Sequence, residues 1–254
     1  IVDDVDSEGD ETIELELSTA DAGLTLDLTA QTITIGASDQ VISSSIVINE
    51  VDADQISGDD SEFIELYGTP SESLDGMVVV LYNGSNDLSY TAVDLDGFSL
   101  NADGFFVLGD AGVQNLDLEL VGGIQNGADA VALYYGDDTD FPTGTAITTS
   151  SLIDALVYDT GDADDVALLA LLNPGQPQVD EGGNGAKDTE SNSRLPDGGT
   201  QRNTDTYVQQ LPSPGCLNTI GCPVVLNPTA SFELTSQSVS EGDMVDVTVT
   251  IADS

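Results

Sequence analysis

The 254-residue chain has no histidine and no tryptophan, two cysteines, and three basic residues, Lys187, Arg194 and Arg202. Each shortage excludes something. Without histidine, the usual general base near neutral pH is missing. Cys216 and Cys222, close together in Cys216-Leu-Asn-Thr-Ile-Gly-Cys222, read as a local disulfide, which removes the thiol nucleophile and implies an oxidising compartment. A zinc site is the weaker alternative, because two thiolates without histidine are too few ligands. Direct binding of nucleic acid or anionic lipid needs clustered lysine and arginine, so either would require a bridging cation. No apolar run approaches the ~20 residues of a membrane-spanning helix, and no membrane insertion is expected. Paired carboxylates are abundant, but close pairs arise by chance among 47 acids. The sequence therefore predicts that the chain is not an enzyme.

Those 47 acids give a formal net charge of -44. A random chain of this composition would be disordered. Here the acids alternate with Val, Ile, Leu and Thr in short runs, which predicts folded β-structure carrying its charge on the surface. Hydrophobic residues make up 39% of the chain, enough for a core that is lean in aromatics.

The pattern divides the chain into three stretches. In residues 1–40, Ile13, Leu15 and Leu17 alternate with Glu14, Glu16 and Ser18, Leu24, Leu26 and Leu28 repeat the period, and residues 32–35 close it. In residues 41–225, candidate strands lie at 46–51, 63–67, 77–82, 90–93, 104–108, 130–135 and 152–157. Turn signals Asn83-Gly84, Asp96-Gly97, Asp103-Gly104 and Asn126-Gly127 separate them, the spacing of an antiparallel sandwich or barrel. One short helix is predicted near 164–172, begun by an Asp cap and stopped by Asn173-Pro174-Gly175. Residues 177–203 are polar and rich in Gly and Asn and read as a long exposed loop. In residues 226–254, Phe232-Glu-Leu234 and the alternating Val245, Val247, Val249 and Ile251 read as two strands around a turn. Two strands alone are marginal in water, so this stretch is expected to pair with something else.

The two ends resemble different parts of the Calx-β repeat. Ile1-Val-Asp-Asp-Val-Asp-Ser-Glu-Gly-Asp-Glu-Thr-Ile-Glu-Leu-Glu-Leu17 is similar to its last third, and Ala230-Ser-Phe-Glu-Leu234 with Ser238-Val-Ser-Glu-Gly-Asp243 and Val245-Asp-Val-Thr-Val-Thr-Ile251 to its first. The central stretch resembles the bacterial lamin-tail domain, an immunoglobulin-like sandwich, through Ile48-Asn-Glu-Val51, Ser61-Glu-Phe-Ile-Glu-Leu-Tyr67, Leu74-Asp-Gly76, Ser193-Arg-Leu-Pro-Asp197 and Leu211-Pro-Ser-Pro-Gly-Cys-Leu-Asn218. The resemblance implies an all-β chain of immunoglobulin-like β-sandwich domains in tandem. It would be one unit of a longer array; the alternative is that head and tail of neighbouring copies complete each other to build a fibre.

Calcium takes six to eight oxygen ligands and suits acidic loops. The order Asp4-x-Asp6-x-Glu8-Gly9 partly copies an EF-hand loop, but Leu15 stands where that loop needs its bidentate Glu, and strands rather than helices flank it. The Calx-β resemblance implies a different set, the acidic turn Asp3, Asp4, Glu8 and Glu11 with Glu233, and Asp6 lies within the same turn. The alternative is a solvated turn in a salt-adapted protein. Acidic clusters at 52–60, 136–140 and 159–165 read as hydrated turns more simply than as calcium loops, and Glu50, Glu62 and Glu65 as hydrogen-bonding residues of the fold. Arg194 and Arg202 are expected to pair with carboxylates, buried or bidentate.

The expected function is a structural segment of an extracellular, calcium-stabilised adhesin or filament whose partners are neighbouring copies. The alternative is a surface- or glycan-binding accessory module of a larger secreted enzyme such as a nuclease.

Overall fold

A computed structural model describes residues 11–16, 30–35, 44–56, 58–222, 229–231 and 250–252. Strands β1 (Glu11–Glu16) and β2 (Ala30–Ile35) form a two-stranded antiparallel sheet. The predicted strands around Leu24–Leu28, Phe232–Leu234 and Val245–Val249 lie outside the described residues.

Residues 44–222 form an all-β sandwich with one helix. Its strands in chain order begin with β3 (Val47–Asp52), β4 (Phe63–Tyr67), β5 (Met77–Asn83), β6 (Leu88–Asp94) and β7 (Phe105–Gly109). There follow β8 (Leu118–Glu119), β9 (Asp129–Tyr135), β10 (Leu152–Asp159), the helix α1 (Val166–Leu172), β11 (Val179–Asp180), β12 (Ser191–Arg194) and β13 (Tyr207–Gln210). One sheet has the order β13-β12-β3-β4-β7-β8 and the other β11-β10-β9-β5-β6. Neighbours are antiparallel except β7 with β8 and β10 with β11. Strands β14 (Thr229–Ser231) and β15 (Thr250–Ala252) form a second two-stranded antiparallel sheet.

The predicted turns fall between strands, and Gly104 shows why one of them needs glycine. Its φ is +93°, and a Cβ there would stand 2.5 Å from the carbonyl oxygen of Gly68, which no side chain tolerates.

The main core lies between the sheets, with Ile48, Ile64, Leu66, Val79, Leu81, Phe106, Leu133 and Leu156 among its buried members. A second apolar layer covers the outer face of β5, β9 and β10. Val78, Val80, Tyr82, Ala132, Tyr134 and Val157 pack there against Leu168 and Leu172 of α1 and against Phe141. Central strands sandwiched in this way are apolar on both faces, so Met77-Val-Val-Val-Leu-Tyr82 is a continuous hydrophobic run rather than an alternating one. The helix begins where the sequence places its cap: the Asp165 carboxylate accepts from the N–H groups of Ala167 and Leu168, both at 2.9 Å. At its other end, the Asn173 side chain accepts from Val157 N–H and donates to the carbonyl of Ala155, fastening the helix to β10.

The exposed loop expected over residues 177–203 is a correction. It contains β11 and β12, and Ser191, Asn192, Ser193 and Arg194 are all fully buried. Two of these polar side chains meet carboxylates, Ser191 that of Glu50 on the adjacent β3 and Arg194 that of Asp154 in the opposite sheet, while the Asn192 side chain accepts from Gln209 on β13.

Packing of α1 generates the first prediction. Leu168 is fully buried, whereas Val166 is 75% exposed. Leu168→Ala should cost about 2–5 kcal/mol through lost burial and a cavity, and Val166→Ala no more than about 0.5 kcal/mol. Denaturant unfolding of the two variants checks this.

Candidate functional site

The most highly connected polar group lies where β12 splays from β3. Strand β12 pairs with β3 only at Glu50 and Val51, and a β-bulge falls between Ile48 and Glu50 in the β3–β4 ladder. The backbone of Ile48 is therefore left without a strand partner on that side. A buried N–H or C=O must find a partner or incur a large penalty. Side chains from both sheets supply it. Asp154 Oδ2, from β10, accepts the Ile48 N–H at 2.8 Å. Arg194 Nε donates to the Ile48 carbonyl at 2.8 Å, and Tyr207 Oη donates to the same oxygen.

Arg194 and Asp154 are both fully buried and pair at 3.1 Å. The guanidinium also donates to the Thr200 carbonyl and lies 4.8 Å from the centre of the Tyr207 ring, a cation–π distance. Asp154 accepts further from the N–H groups of Ala155 and Arg202. Burial pushes the Asp154 pKa up, while Arg194 and these backbone donors pull it down. The expected pairing of Arg194 with a carboxylate is thus observed. Arg202 differs: its side chain donates to the carbonyls of Leu171 and Leu172, the unpaired acceptors at the end of α1.

A second buried group lies on the outer face of the same sheet. Glu50 and Glu65 stand opposite one another in the β3–β4 register, and both are fully buried. Glu50 accepts from Ser191 Oγ and from the N–H and Oγ of Ser213. Glu65 accepts from Asn49 Nδ2 and from the N–H of Gly215. Together they hold residues 213–215 against the sheet. Asn218 continues the attachment by donating to the carbonyl of Arg194. Just beyond this strap, Cys216 and Cys222 form the expected disulfide, with Cα atoms 5.1 Å apart. Burial pushes both glutamates above the usual carboxylate range, and Glu65 is raised further by Glu50 beside it.

Carboxylates also gather around residues 52–62. Glu181 accepts from the N–H groups of Ala53 and Asp54, Glu62 from Ile124 N–H, and Asp54 from Lys187. Burial is the leading cause that pushes Asp52 and Glu62 up to about 7 and Glu181 to about 9, with neighbouring acids adding to it.

Of the expected calcium ligands, Asp3, Asp4, Asp6, Glu8 and Glu233 lie outside the described residues, and Glu11 is described only as the first backbone position of β1. Among the described residues, no group of three or more His, Cys, Asp or Glu is placed to hold a metal ion. In the weaker acidic clusters, four of the carboxylates serve turns or caps. Asp59 accepts from Gln55 N–H, Asp137 from Thr139 N–H, Asp159 from the N–H groups of Gly161 and Asp162, and Asp165 caps α1. An open groove of about 570 Å³ runs beside the last cluster, between Asn83–Ser85, Gln125–Asp129 and Asp162–Asp165. Asp129 there is engaged by Gly84 N–H.

Asp154, Glu181 and Tyr207 were missed by sequence reading. The available signal was Asp154 itself, a lone charge inside Leu152-Ile-Asp-Ala-Leu-Val157. No protein-family model, curated protein sequence or solved structure matches the chain.

Two predictions arise from this chemistry. Removing one member of a buried ion pair strands the other, so Arg194→Met or Asp154→Leu should each cost about 3–5 kcal/mol. The double variant should cost less than the two single losses added together, which a double-mutant cycle by denaturant unfolding measures. The second concerns pH. In the unfolded chain Asp52 and Glu62 lose their protons near the ordinary 3.8 and 4.5, whereas in the folded chain they keep them to about 7. The native state therefore binds more protons between those values, and stability falls with rising pH there. The contribution is fully present below about pH 4 and lost as pH rises through 7. The melting temperature at constant ionic strength should be higher at pH 5 than at pH 8, and Asp52→Asn should reduce the difference.

Proposed function

We propose that the chain is a structural segment of a long extracellular adhesin or filament made of repeated β-sandwich modules and stabilised by calcium. The observation that supports this reading most is the use of the buried polar side chains. Asp154, Glu50, Glu65 and Glu181 each accept hydrogen bonds from donors distant in sequence, and each fastens a loop or strand to a sheet. That arrangement suits a stiff spacer. The Cys216–Cys222 disulfide suits an oxidising exterior, and a net charge of -44 suits a surface that resists clumping and recruits cations.

In this reading residues 46–222 are a lamin-tail-like module and the flanks are Calx-β-like. Among the described residues β1–β2 and β14–β15 are two-stranded, and sheets of that size gain stability from further strands or a packed layer, a role that neighbouring modules fill in this reading. The acidic turn with Asp3, Asp4, Asp6, Glu8 and Glu11, together with Glu233, would provide oxygen ligands of the kind calcium takes. The ion would neutralise facing carboxylates and lock one module to the next.

The test is calcium titration of the chain, with melting temperature and hydrodynamic size as readouts and sodium chloride at matched ionic strength as control. At a hundredfold excess over the dissociation constant, one site stabilises its module by about 2.7 kcal/mol. The melting temperature should rise by several degrees, and chelation should reverse the rise. No change in either readout on chelation would contradict the proposal. An equal response to sodium would assign the acidity to general charge screening.

A further inference from the structure

Lys187, the one lysine of the chain, is set against a buried carboxylate rather than a surface one. Its Nζ meets Oδ2 of Asp54, whose side chain is 9% exposed against 39% for the lysine. Pairing alone gives little reason for this placing, because a half-exposed ion pair adds little to stability and 47 acids offer partners everywhere. A third group completes the site. Glu181 is fully buried and accepts from the N–H groups of Ala53 and Asp54, each at 3.2 Å. It interacts electrostatically with both Asp54 and Lys187. Burial lets it keep its proton up to about pH 9, so at neutral pH it is a carboxylic acid with an O–H to donate. The fold thus holds together an amine, a buried carboxyl group and a neighbouring acid.

We propose that Lys187 and Asp54 condense to an intramolecular amide, with Glu181 carrying the protons. The two groups start as an ion pair, in which Asp54 holds the lysine pKa above its ordinary value. The ammonium first gives one proton to the Asp54 carboxylate it touches. The freed nitrogen lone pair then forms a bond to Asp54 Cγ, and the carbonyl π pair moves onto oxygen. Collapse of that intermediate breaks the Cγ–OH bond, and the hydroxyl leaves as water on a proton from Glu181. A second nitrogen proton passes to Glu181 and restores the acid. One ammonium and one carboxylate give one amide and one water, with no oxidant or other reactant. The opening proton transfer is uphill, so the reaction is slow, but it runs only once per molecule. Contact between the groups supplies effective concentrations that reach about 10⁵–10⁸ M in well-oriented systems, which favours condensation over hydrolysis. The position gives the bond a use. Strand β12 pairs with β3 only at Glu50 and Val51, and the amide would join the chain just beyond that pairing. It would close one covalent ring around everything from β4 to β11. The inference is independent of the calcium-dependent array and stands or falls separately.

The experiment is intact mass spectrometry of the folded chain during incubation at neutral pH, followed by sequencing of its proteolytic fragments. The protein should become lighter by one water than its sequence and disulfide require. The fragment holding Lys187 should be found joined to the one holding Asp54. Lys187→Arg keeps the charge but has no amine to condense, and Asp54→Ala removes the carboxyl group, so both should keep the full mass. Glu181→Gln should slow the conversion about 10²-fold or more. An Asp-Gly pair such as Asp96-Gly97 also loses water when it cyclises on itself, and Lys187→Arg separates the two sources. Full mass in the unaltered chain after prolonged incubation, water loss undiminished in Lys187→Arg, fragments that are not joined, or an unchanged rate in Glu181→Gln would overturn the proposal. If Glu181→Gln fails to fold, the joined fragment of the unaltered chain decides the matter.

Discussion

The sandwich is joined at Ile48. A bulge in β3 and the divergence of β12 leave one N–H and one C=O of the main chain without a ladder partner, inside an apolar interior where such groups must be paired. The Asp154 carboxylate from one sheet and Arg194 and Tyr207 from the other meet there. A hydrophobic contact could hold the sheets together as strongly, but it would leave Ile48 unsatisfied. The ion pair is therefore there to complete a backbone, and its charge is a consequence of needing an acceptor for N–H on one side and donors for C=O on the other. Other parts of the structure depend on this joint: residues 200–202 bond to the same pair, and Asn218 to the Arg194 carbonyl.

The same economy of donors shapes the acidic residues. With three basic side chains in the chain, most buried carboxylates cannot find a cation, and they use backbone N–H, serine and asparagine instead. Glu50 and Glu65 hold the segment from Ser213 to Gly215, and Glu181 holds the start of the β3–β4 loop. Such groups are satisfied as hydrogen-bond acceptors yet remain expensive to ionise. A protein built in this way has its stability coupled to proton concentration as well as to salt.

Much of this was legible in the sequence. The all-β class, the strands from Val47 to Asp159 apart from the two-residue β8, the turns at Gly97 and Gly104, the helix behind Asp165 and the disulfide follow from short-range chemistry that neighbouring residues carry. What escaped is long-range. Ser191-Asn-Ser-Arg194 reads as loop because nothing local reveals that Glu50 and Asp154, 141 and 40 positions away, wait to receive it. The burial of both faces of β5 is hidden for a similar reason, since the covering helix comes some eighty residues later. Arg194 was identified as a partner for a carboxylate on scarcity alone, but its partner could not be chosen among 47 acids. The same scarcity misled for Arg202, whose acceptors are carbonyls that sequence does not display.

Native-state hydrogen exchange at the Ile48 amide tests the joint most directly. If Asp154 and Arg194 clamp the sheets together, that amide should exchange only through global unfolding, with the same opening free energy as Val80 in the middle of β5. Exchange from Ile48 through a local opening, at a free energy well below that of Val80 and insensitive to denaturant, would contradict the account.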